Sequence, residues 1–171
     1  RSVSYTTRPP RGEEVHGRDY FFVDDAEFDR MVAADEFIEW AEVFGRRYGT
    51  GVKAVRQQLE SGVDVLLDID VQGGAQVRKK LQDALLIFLL PPSMDELRRR
   101  LTNRAEDSAE VIARRLEEAR NEIRASDSYD FLVVNDDFDS AAVLLRGIIR
   151  THRLRVRPPN ELVAKLLDRT A

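Results

Sequence analysis

Residues 84–90 read ALLIFLL, an unbroken apolar run of strand length. Two similar runs, VDVLLDID (63–70) and DFLVVND (130–136), also end near acidic residues. Because their apolar residues are continuous rather than alternating, all three are typical of strands buried on both faces of a parallel sheet. The segments between them are amphipathic and helical in pattern. Strands that alternate with helices predict an α/β, doubly wound fold with helices flanking the sheet.

Capping patterns predict where the helices begin. In a capping box, a Ser, Thr or Asp at the N-cap precedes a Glu by three residues, and each satisfies backbone N–H groups of the first turn. A glycine after the last apolar position of a helix predicts its end, and here this is Gly62 for the second helix. The predicted helices begin near Asp24, Val52, Ser93, Asp107, Ser140 and Glu161.

Composition narrows the class of protein. Of the 171 residues, 34% are charged and the formal net charge is −4, which argues against a nucleic-acid partner. The longest apolar run is too short to span a bilayer, so we expect no membrane association. With no cysteine, the chain has no disulfides or thiolate metal sites and suits a reducing compartment, so we expect a cytoplasmic protein.

The stretch TTRPPRG, residues 6–12, holds two arginines three positions apart. Prolines bias this stretch toward the polyproline II conformation, which repeats every three residues, so Arg8 and Arg11 are expected on the same side, roughly 9 Å apart. Two guanidinium groups at that spacing can converge on one phosphate and bind it through bidentate hydrogen bonds. A solvated basic turn is the alternative.

Two carboxylates end the run VDVLLDID. On a strand, Asp68 and Asp70 point to the same side, and the carboxyl end of a parallel strand faces the ligand crevice. Enzymes of phosphoryl transfer commonly hold Mg²⁺ with such an aspartate. A purely structural role for these carboxylates is the less favoured alternative, because burying them without a partner is costly.

The stretch FIEWAEVFGRRYGT, residues 37–50, is rich in aromatic residues and tight turns and predicts a small inserted α+β subdomain. Within it, the Glu39 carboxylate could accept hydrogen bonds from the N1–H and the exocyclic amine of guanine. Adenine has no N1–H and would leave that carboxylate unpaired, which gives strong discrimination. A charge at a strand edge is the alternative for Glu39.

Three arginines lie on two consecutive helices around a polar turn: Arg100, Arg104 and Arg115. This arrangement suits a lid that closes over phosphates, with the cations stabilising charge on the group being transferred. The alternative is a set of surface ion pairs at i,i+4 spacing with neighbouring glutamates.

Taken in order, these segments resemble the guanylate kinase family from Ser2 to about Thr151. SVSYTTRPPRGEEVHGRDYFF (2–22) is the most specific of them, followed by the stretch at 37–50, LLDIDVQGG (66–74), LPPS (90–93), RRLTNRAEDS (99–108) and VVNDDFD (133–139). The resemblance implies a P-loop-kinase-like parallel sheet, a GMP-binding subdomain and a helical lid. It also implies Mg²⁺-dependent phosphoryl transfer from ATP to GMP, giving ADP and GDP in purine nucleotide metabolism.

The resemblance assigns roles to individual residues. For the GMP phosphate and its surroundings it implies Ser4, Arg8, Arg11, Tyr20 and Tyr48. For the guanine base it implies Glu39, Thr50 and Asp70. Asp68 matches the acidic group near Mg²⁺, which it would hold through water, and Asn135 matches the loop near adenine. The three lid arginines match the catalytic cations.

Two departures from the family pattern stand out. Ala105 follows the lid arginine where the family usually has glycine. The phosphate-binding loop, G-x-x-G-x-G-K-[ST], is expected roughly 20–25 residues before Ser4, and no such motif occurs in these 171 residues. We therefore expect a truncated chain or a misassigned start, unable to transfer phosphate by itself. A non-catalytic binding module that recognises GMP or a phosphopeptide is the alternative function.

The predicted organisation is one domain over residues 1–171, with the oligomeric state left open. Its expected parts are a GMP-binding subdomain at about 5–50, a core at about 51–97 and 127–171, and a lid with its following helix at about 98–126.

Overall fold

The computed structural model describes residues 2–43, 45–103 and 108–155. By contacts the chain divides into two compact units. Unit 1 comprises Arg1–Leu86 and Arg120–Ser128, and unit 2 comprises Ile87–Ala119 and Tyr129–Ala171. None of the helices described is long and apolar enough to cross a membrane.

Unit 1 contains a four-stranded sheet in the order β2-β1-β4-β3. Strands β1 and β2 are parallel, whereas β4 pairs antiparallel with both β1 and β3. The strands are β1 (Tyr5–Thr6), β2 (Phe21–Phe22), β3 (Phe37–Val43) and β4 (Arg46–Gly51). The helices of unit 1 are α1 (Asp25–Ala33), α2 (Val52–Glu60) and α3 (Val71–Lys80).

The core of unit 1 forms where α1 packs on the sheet. Phe28 and Met31 of α1 bury their side chains against Phe37 of β3, and the Phe28 and Phe37 rings lie 4.7 Å apart. The predicted cap of α1 is confirmed, since the Asp24 carboxylate accepts a hydrogen bond from the Glu27 N–H at 2.8 Å. This cap satisfies a donor that the first turn would otherwise leave unpaired.

The predicted end of α2 at Gly62 is confirmed in detail. Gly62 has φ +74°, the left-handed region that glycine adopts without a Cβ clash. Its N–H bonds the Leu59 carbonyl, and the Val63 N–H bonds the Gln58 carbonyl. These are the two hydrogen bonds of a Schellman motif, which satisfies the last carbonyls of a helix.

Unit 2 contains a pair of parallel strands, β5 (Ile87–Leu90) and β6 (Phe131–Val134), in register from Ile87↔Phe131 to Leu90↔Val134. The Asn135 N–H extends the pair by bonding the Leu90 carbonyl at 2.7 Å. Helices α4 (Met94–Asn103) and α6 (Phe138–Arg153) belong to this unit. Helix α5 (Ala109–Arg124) contributes residues to both units and continues into a short 3-10 helix, Ala125–Ser128.

Helices α4 and α6 begin within two residues of their predicted starts. Ser93 accepts the Glu96 N–H at 3.1 Å before α4. The last described helix starts at Phe138 rather than near Ser140, because Asp137 caps it by accepting the Ser140 N–H at 2.8 Å. Helix α5 starts at Ala109, whereas Asp107 and the predicted terminal helix near Glu161 lie outside the described residues.

One predicted strand is wrong. Within the part of the chain that the structure describes, residues 63–70 carry no strand pairing, and the Leu66 carbonyl accepts the Ser2 N–H at 3.4 Å as an isolated contact. An extended segment is a strand only when a neighbour pairs with it, and sequence pattern alone does not supply that neighbour. Burial on both faces is also wrong here, since Val63 is 53% exposed and Leu66 63% exposed.

The two strands of unit 2 likewise keep apolar side chains exposed. Leu89 of β5 and Phe131, Leu132 and Val134 of β6 are exposed, whereas Val133 is buried. The parallel pairing was predicted correctly, but the expected burial on both faces was not found among the described residues.

Candidate functional site

Arg8 is anchored in unit 1 by a bidentate ion pair. Its side chain is only 8% exposed, and its two terminal nitrogens each lie 2.9 Å from a carboxylate oxygen of Glu14. One of them also donates to the Pro9 carbonyl at 2.7 Å. The hydrogen bonds that Arg8 donates to Glu14 raise the pKa of Arg8 above its usual range and lower the pKa of Glu14. The guanidinium is therefore a fixed, fully charged group.

Arg11 is placed differently from Arg8, with which it was expected to share a phosphate. Its side chain is exposed, whereas its backbone N–H donates to Oε2 of Glu14 at 2.7 Å. Gly12 follows with φ +53°, and the Glu14 N–H returns to the Arg11 carbonyl at 3.1 Å, which closes a tight turn. One carboxylate therefore holds both arginines, Arg8 by its side chain and Arg11 by its backbone. The Arg8 and Arg11 side chains differ in burial, which an evenly exposed polyproline stretch does not predict.

Aromatic rings surround the Arg8 guanidinium. Its central carbon lies 5.3 Å from the Tyr20 ring centre and 5.9 Å from that of Phe22, within cation–π range. A hydrogen bond with Tyr48 also contributes to the raised pKa of Arg8. The Tyr20 and Tyr48 rings meet edge to face at 6.1 Å. Three of the predicted phosphate-site residues, Arg8, Tyr20 and Tyr48, therefore contact one another. Ser4 is joined to β2 through its carbonyl, which accepts the Phe21 N–H at 2.9 Å.

Glu39 is a buried carboxylate on β3, only 4% exposed. It lies directly across the sheet from Thr50 of β4, whose hydroxyl donates to its Oε1. Burial raises the pKa of Glu39, and the nearby Asp70 charge raises it further, while the Thr50 hydrogen bonds oppose the shift. Such a carboxylate is poised to accept further hydrogen bonds, since burying it without them is costly.

A β-bulge precedes Glu39. Phe37 and Glu39 are two steps apart on β3, whereas their partners Gly51 and Thr50 are one step apart on β4. Phe37, Ile38 and Glu39 are consequently all buried, which a regular alternating strand does not allow on a one-sided sheet. Bulges re-aim side chains in this way and are common beside functional sites.

Asp70 joins this pair from the start of α3. Its Oδ1 accepts the Gly73 N–H at 2.8 Å, so it is the N-cap of the helix. Gly73 is closely packed, because a Cβ built there would lie 2.8 Å from Oε2 of Glu39 and 3.2 Å from the Ile69 Cβ. The three predicted guanine-reading residues therefore lie together, since Glu39 and Asp70 both border Gly73 and Thr50 bonds Glu39.

Asp68 is exposed in the segment that leads into α3. No group of three or more metal-binding side chains forms within residues 2–43, 45–103 and 108–155. Mg²⁺ does not require such a group, since it binds one or two carboxylates and keeps waters and substrate phosphates as its other ligands. A single accessible carboxylate such as Asp68 fits that role.

The predicted lid residues belong to unit 2 apart from Arg104, which lies outside the described residues. Arg100 binds Glu96 at 2.7 Å and the carbonyls of Asn135 and Asp136 at 2.8 and 3.0 Å. The i,i+4 ion pair that the sequence allowed for Arg100 is therefore present, and its lid role stays a prediction. Arg115 is half-buried on α5.

The sequence did not single out Glu14 or Gly73. Glu14 follows Arg11 by three residues in RGEE, a spacing typical of a tight turn, but its bond to the Arg8 side chain follows only from the fold. Gly73 lies in the VQGG segment at the start of α3, and the contact that excludes a side chain comes from Glu39, 34 positions earlier in the chain.

The sequence of this chain is similar to those of known proteins. A family model described as guanylate kinase matches residues 1–152. The guanylate kinase of Escherichia coli strain K12 is 52% identical over 170 residues, which cover 97% of this chain and 82% of the relative. That of Geobacter sulfurreducens is 48% identical over 167 residues, covering 98% and 82%.

A solved structure is also similar. The crystal structure of guanylate kinase from Anaplasma phagocytophilum aligns with a TM-score of 0.76 at 38% sequence identity. The alignment covers 91% of this chain and 76% of that one. The similarity therefore extends over most of both chains in sequence and in fold.

Proposed function

The chain belongs to the guanylate kinase family, and on that premise we propose that unit 1 is its GMP-binding part. Its function is that of a nucleoside monophosphate kinase, and the reaction that we propose is Mg²⁺-dependent transfer of a phosphoryl group from ATP to GMP. The observation that carries the proposal is the buried Glu39 carboxylate, with Thr50 and Asp70 beside it.

Guanine recognition follows from the chemistry of that cluster. Glu39 keeps Oε2 and the remaining lone pairs of Oε1 for a ligand, because Thr50 occupies one acceptor position on Oε1. Guanine offers two adjacent donors, N1–H and the exocyclic amine, which match a carboxylate. Adenine presents an acceptor at N1, so it would leave a desolvated charge unpaired.

Phosphate recognition falls to the arginines. The bidentate ion pair with Glu14 and the bond to Pro9 use three of the five Arg8 donors, Tyr48 is a further partner, and a donor that remains can contact a phosphate oxygen. The exposed Arg11 side chain can approach the same anion, with the Tyr20 and Tyr48 hydroxyls and Ser4 as further donors. Catalysis of phosphoryl transfer rests on positioning and charge stabilisation, so a fixed acceptor phosphate is the contribution of these residues.

ATP and Mg²⁺ complete the proposed reaction. Asp68 would hold the Mg²⁺ ion through water, and the ion would neutralise charge on the phosphoryl group being transferred. Asn135 near adenine and the lid cations Arg100, Arg104 and Arg115 stay predictions.

Calorimetric titration of residues 1–171 with GMP and with guanosine tests the GMP site. We expect Arg8→Ala to weaken GMP binding by about 1.5–3 kcal/mol, the cost of losing a hydrogen bond to a charged group. Binding of guanosine, which has no phosphate, should be unchanged. Arg18→Ala is the matched control, because Arg18 is exposed and pairs with its neighbour Asp19. Equal binding of GMP by the wild type and Arg8→Ala would overturn the phosphate assignment.

Phosphoryl transfer is tested separately from binding. A coupled ADP-release assay on residues 1–171 is expected to show no GMP-dependent turnover, because no Gly-Lys-Ser/Thr loop occurs in this stretch. A chain extended at its N-terminus by such a loop is expected to turn over. Turnover by residues 1–171 alone would show that another group holds the ATP phosphates.

A further inference from the structure

Helix α3 is fastened to the backbone of β3 by a side-chain amide. Gln76 accepts the Trp40 N–H on its Oε1 at 3.1 Å and donates from Nε2 to the Trp40 carbonyl at 2.6 Å. Strand β3 is at the edge of its sheet, so among the described strands none pairs with the outward backbone groups of Trp40. The Gln76 amide supplies the equivalent of one rung of a ladder. Its orientation is fixed, because the flipped amide would oppose donor to donor and acceptor to acceptor.

A second contact lies one helical turn further along α3. The Lys80 ammonium group donates to the Phe37 carbonyl at 2.6 Å and to the Asp35 carboxylate at 2.6 Å. Gly73, Gln76 and Lys80 are three and four residues apart, so they lie on one face of the helix. That face therefore runs along β3 from the Glu39 carboxylate, which Gly73 touches, to Phe37.

These contacts bracket the β-bulge. Lys80 holds the carbonyl of Phe37 on one side of the bulge, and Gln76 holds both backbone groups of Trp40 on the other. Between them lies Glu39, whose direction depends on the local backbone because a bulge interrupts regular pairing. A carboxylate that must meet two donors of a base needs its backbone fixed closely.

We propose that Gln76 is a positioning residue for guanine recognition: by pairing with the backbone of Trp40 it fixes the bulged segment so that the Glu39 carboxylate meets both donors of the base. This inference rests on the proposed assignment of Glu39 as the guanine reader. Gln76 bonds the backbone of Trp40, so its proposed effect on the base is exerted through β3.

The test compares GMP with IMP, which keeps N1–H but lacks the exocyclic amine. The ratio of their dissociation constants measures how well the carboxylate meets its second donor, and a ratio of about tenfold or more is expected for the wild type. Gln76→Met removes both hydrogen bonds to Trp40 and keeps side-chain length and helix propensity. Lys79→Met is the matched control on the exposed side of the same helix.

Calorimetric titrations, thermal melts and amide hydrogen exchange are measured for each variant. We expect Gln76→Met to lower the GMP-to-IMP discrimination to about a third or less of the wild-type ratio and to speed exchange of the Trp40 amide, whereas Lys79→Met changes neither. Equal weakening of GMP and IMP by Gln76→Met, with an unchanged ratio, would mean that Gln76 only stabilises the fold and would overturn the inference.

Failure of the underlying assignment gives a different result. If Glu39→Gln leaves the GMP-to-IMP ratio of the wild type intact, then Glu39 does not read the base and the proposed function is wrong at that point. If Glu39→Gln abolishes the ratio while Gln76→Met preserves it, the guanine assignment stands and only the role of Gln76 is overturned.

Discussion

Thr50 and Glu39 face each other across two antiparallel strands, and the Thr50 hydroxyl donates to Oε1 of the buried carboxylate. Thr50 is 1% exposed and Glu39 is 4% exposed, so both side chains are shielded from bulk solvent. A single hydroxyl cannot satisfy a carboxylate with about four acceptor positions. The pair is consequently a stability cost that a ligand with donors can relieve.

That cost predicts how stability depends on pH. Burial raises the pKa of Glu39, so the folded protein holds this proton more tightly than the unfolded chain does. Stability from this group is present below its unfolded pKa and is lost as pH rises through the folded pKa. At pH 8 the free energy of unfolding of Glu39→Gln should therefore exceed that of the wild type by about 1 kcal/mol or more, with a higher melting temperature. This difference should shrink toward pH 4. Melting curves across that range decide it, and a constant difference would contradict the shifted pKa.

Glu14 should show the opposite pH dependence. The Arg8 hydrogen bonds lower the pKa of Glu14, so its contribution to stability is present above the unfolded pKa and is lost as pH falls through the folded value. Glu14→Gln is expected to lower the melting temperature at pH 7 and to converge with the wild type in acid. Glu13→Gln, next to it and exposed, is the control and should match the wild type throughout. A Glu14 variant as stable as the control at pH 7 would rule out the anchoring role.

A side chain at Gly73 should disturb the proposed guanine site more than the fold. In Gly73→Ala the new Cβ would meet Oε2 of Glu39 at 2.8 Å and the Ile69 Cβ at 3.2 Å, so the carboxylate must shift from its position. Alanine gains about 1 kcal/mol of helix propensity, which offsets part of the overpacking cost of about 1–3 kcal/mol. We therefore expect a small change in melting temperature but a loss of GMP affinity of about tenfold or more.

Gly147→Ala is the matched control for that substitution. Gly147 lies inside α6 with no atom within 4 Å of a built Cβ, so alanine should stabilise by up to about 1 kcal/mol. GMP affinity should be unchanged. If Gly73→Ala binds GMP as well as Gly147→Ala does, the close packing of Glu39 against Gly73 has no bearing on the site.

The local features of this chain could be predicted from sequence because their causes are local. The Asp24 cap, the Gly62 helix end and the Ser93 cap each depend on residues within five positions of one another. The neighbourhood of Glu39, Thr50 and Asp70 was predicted from family resemblance rather than from spacing.

Features that depend on distant partners could not be predicted. Residues 63–70 have the apolar pattern of a buried strand, yet a strand also needs paired neighbours, and these do not appear in the segment's pattern. The pairing of Gln76 with Trp40 spans 36 positions and uses a backbone group, which carries no sequence signature. The bulge before Glu39 follows from the register of β3 on β4, so sequence alternation alone missed it.

The base selectivity of Glu39→Gln is the most direct test of guanine recognition by this carboxylate. Calorimetry would compare GMP and AMP binding to the wild type and to this variant, which keeps the acceptor for Thr50 but presents an amide donor toward the base. We expect GMP affinity to fall by about 1.5–3 kcal/mol or more, with AMP affinity unchanged or slightly improved. Equal losses for GMP and AMP, or no loss for either, would show that Glu39 does not read guanine and would overturn the proposed guanine site.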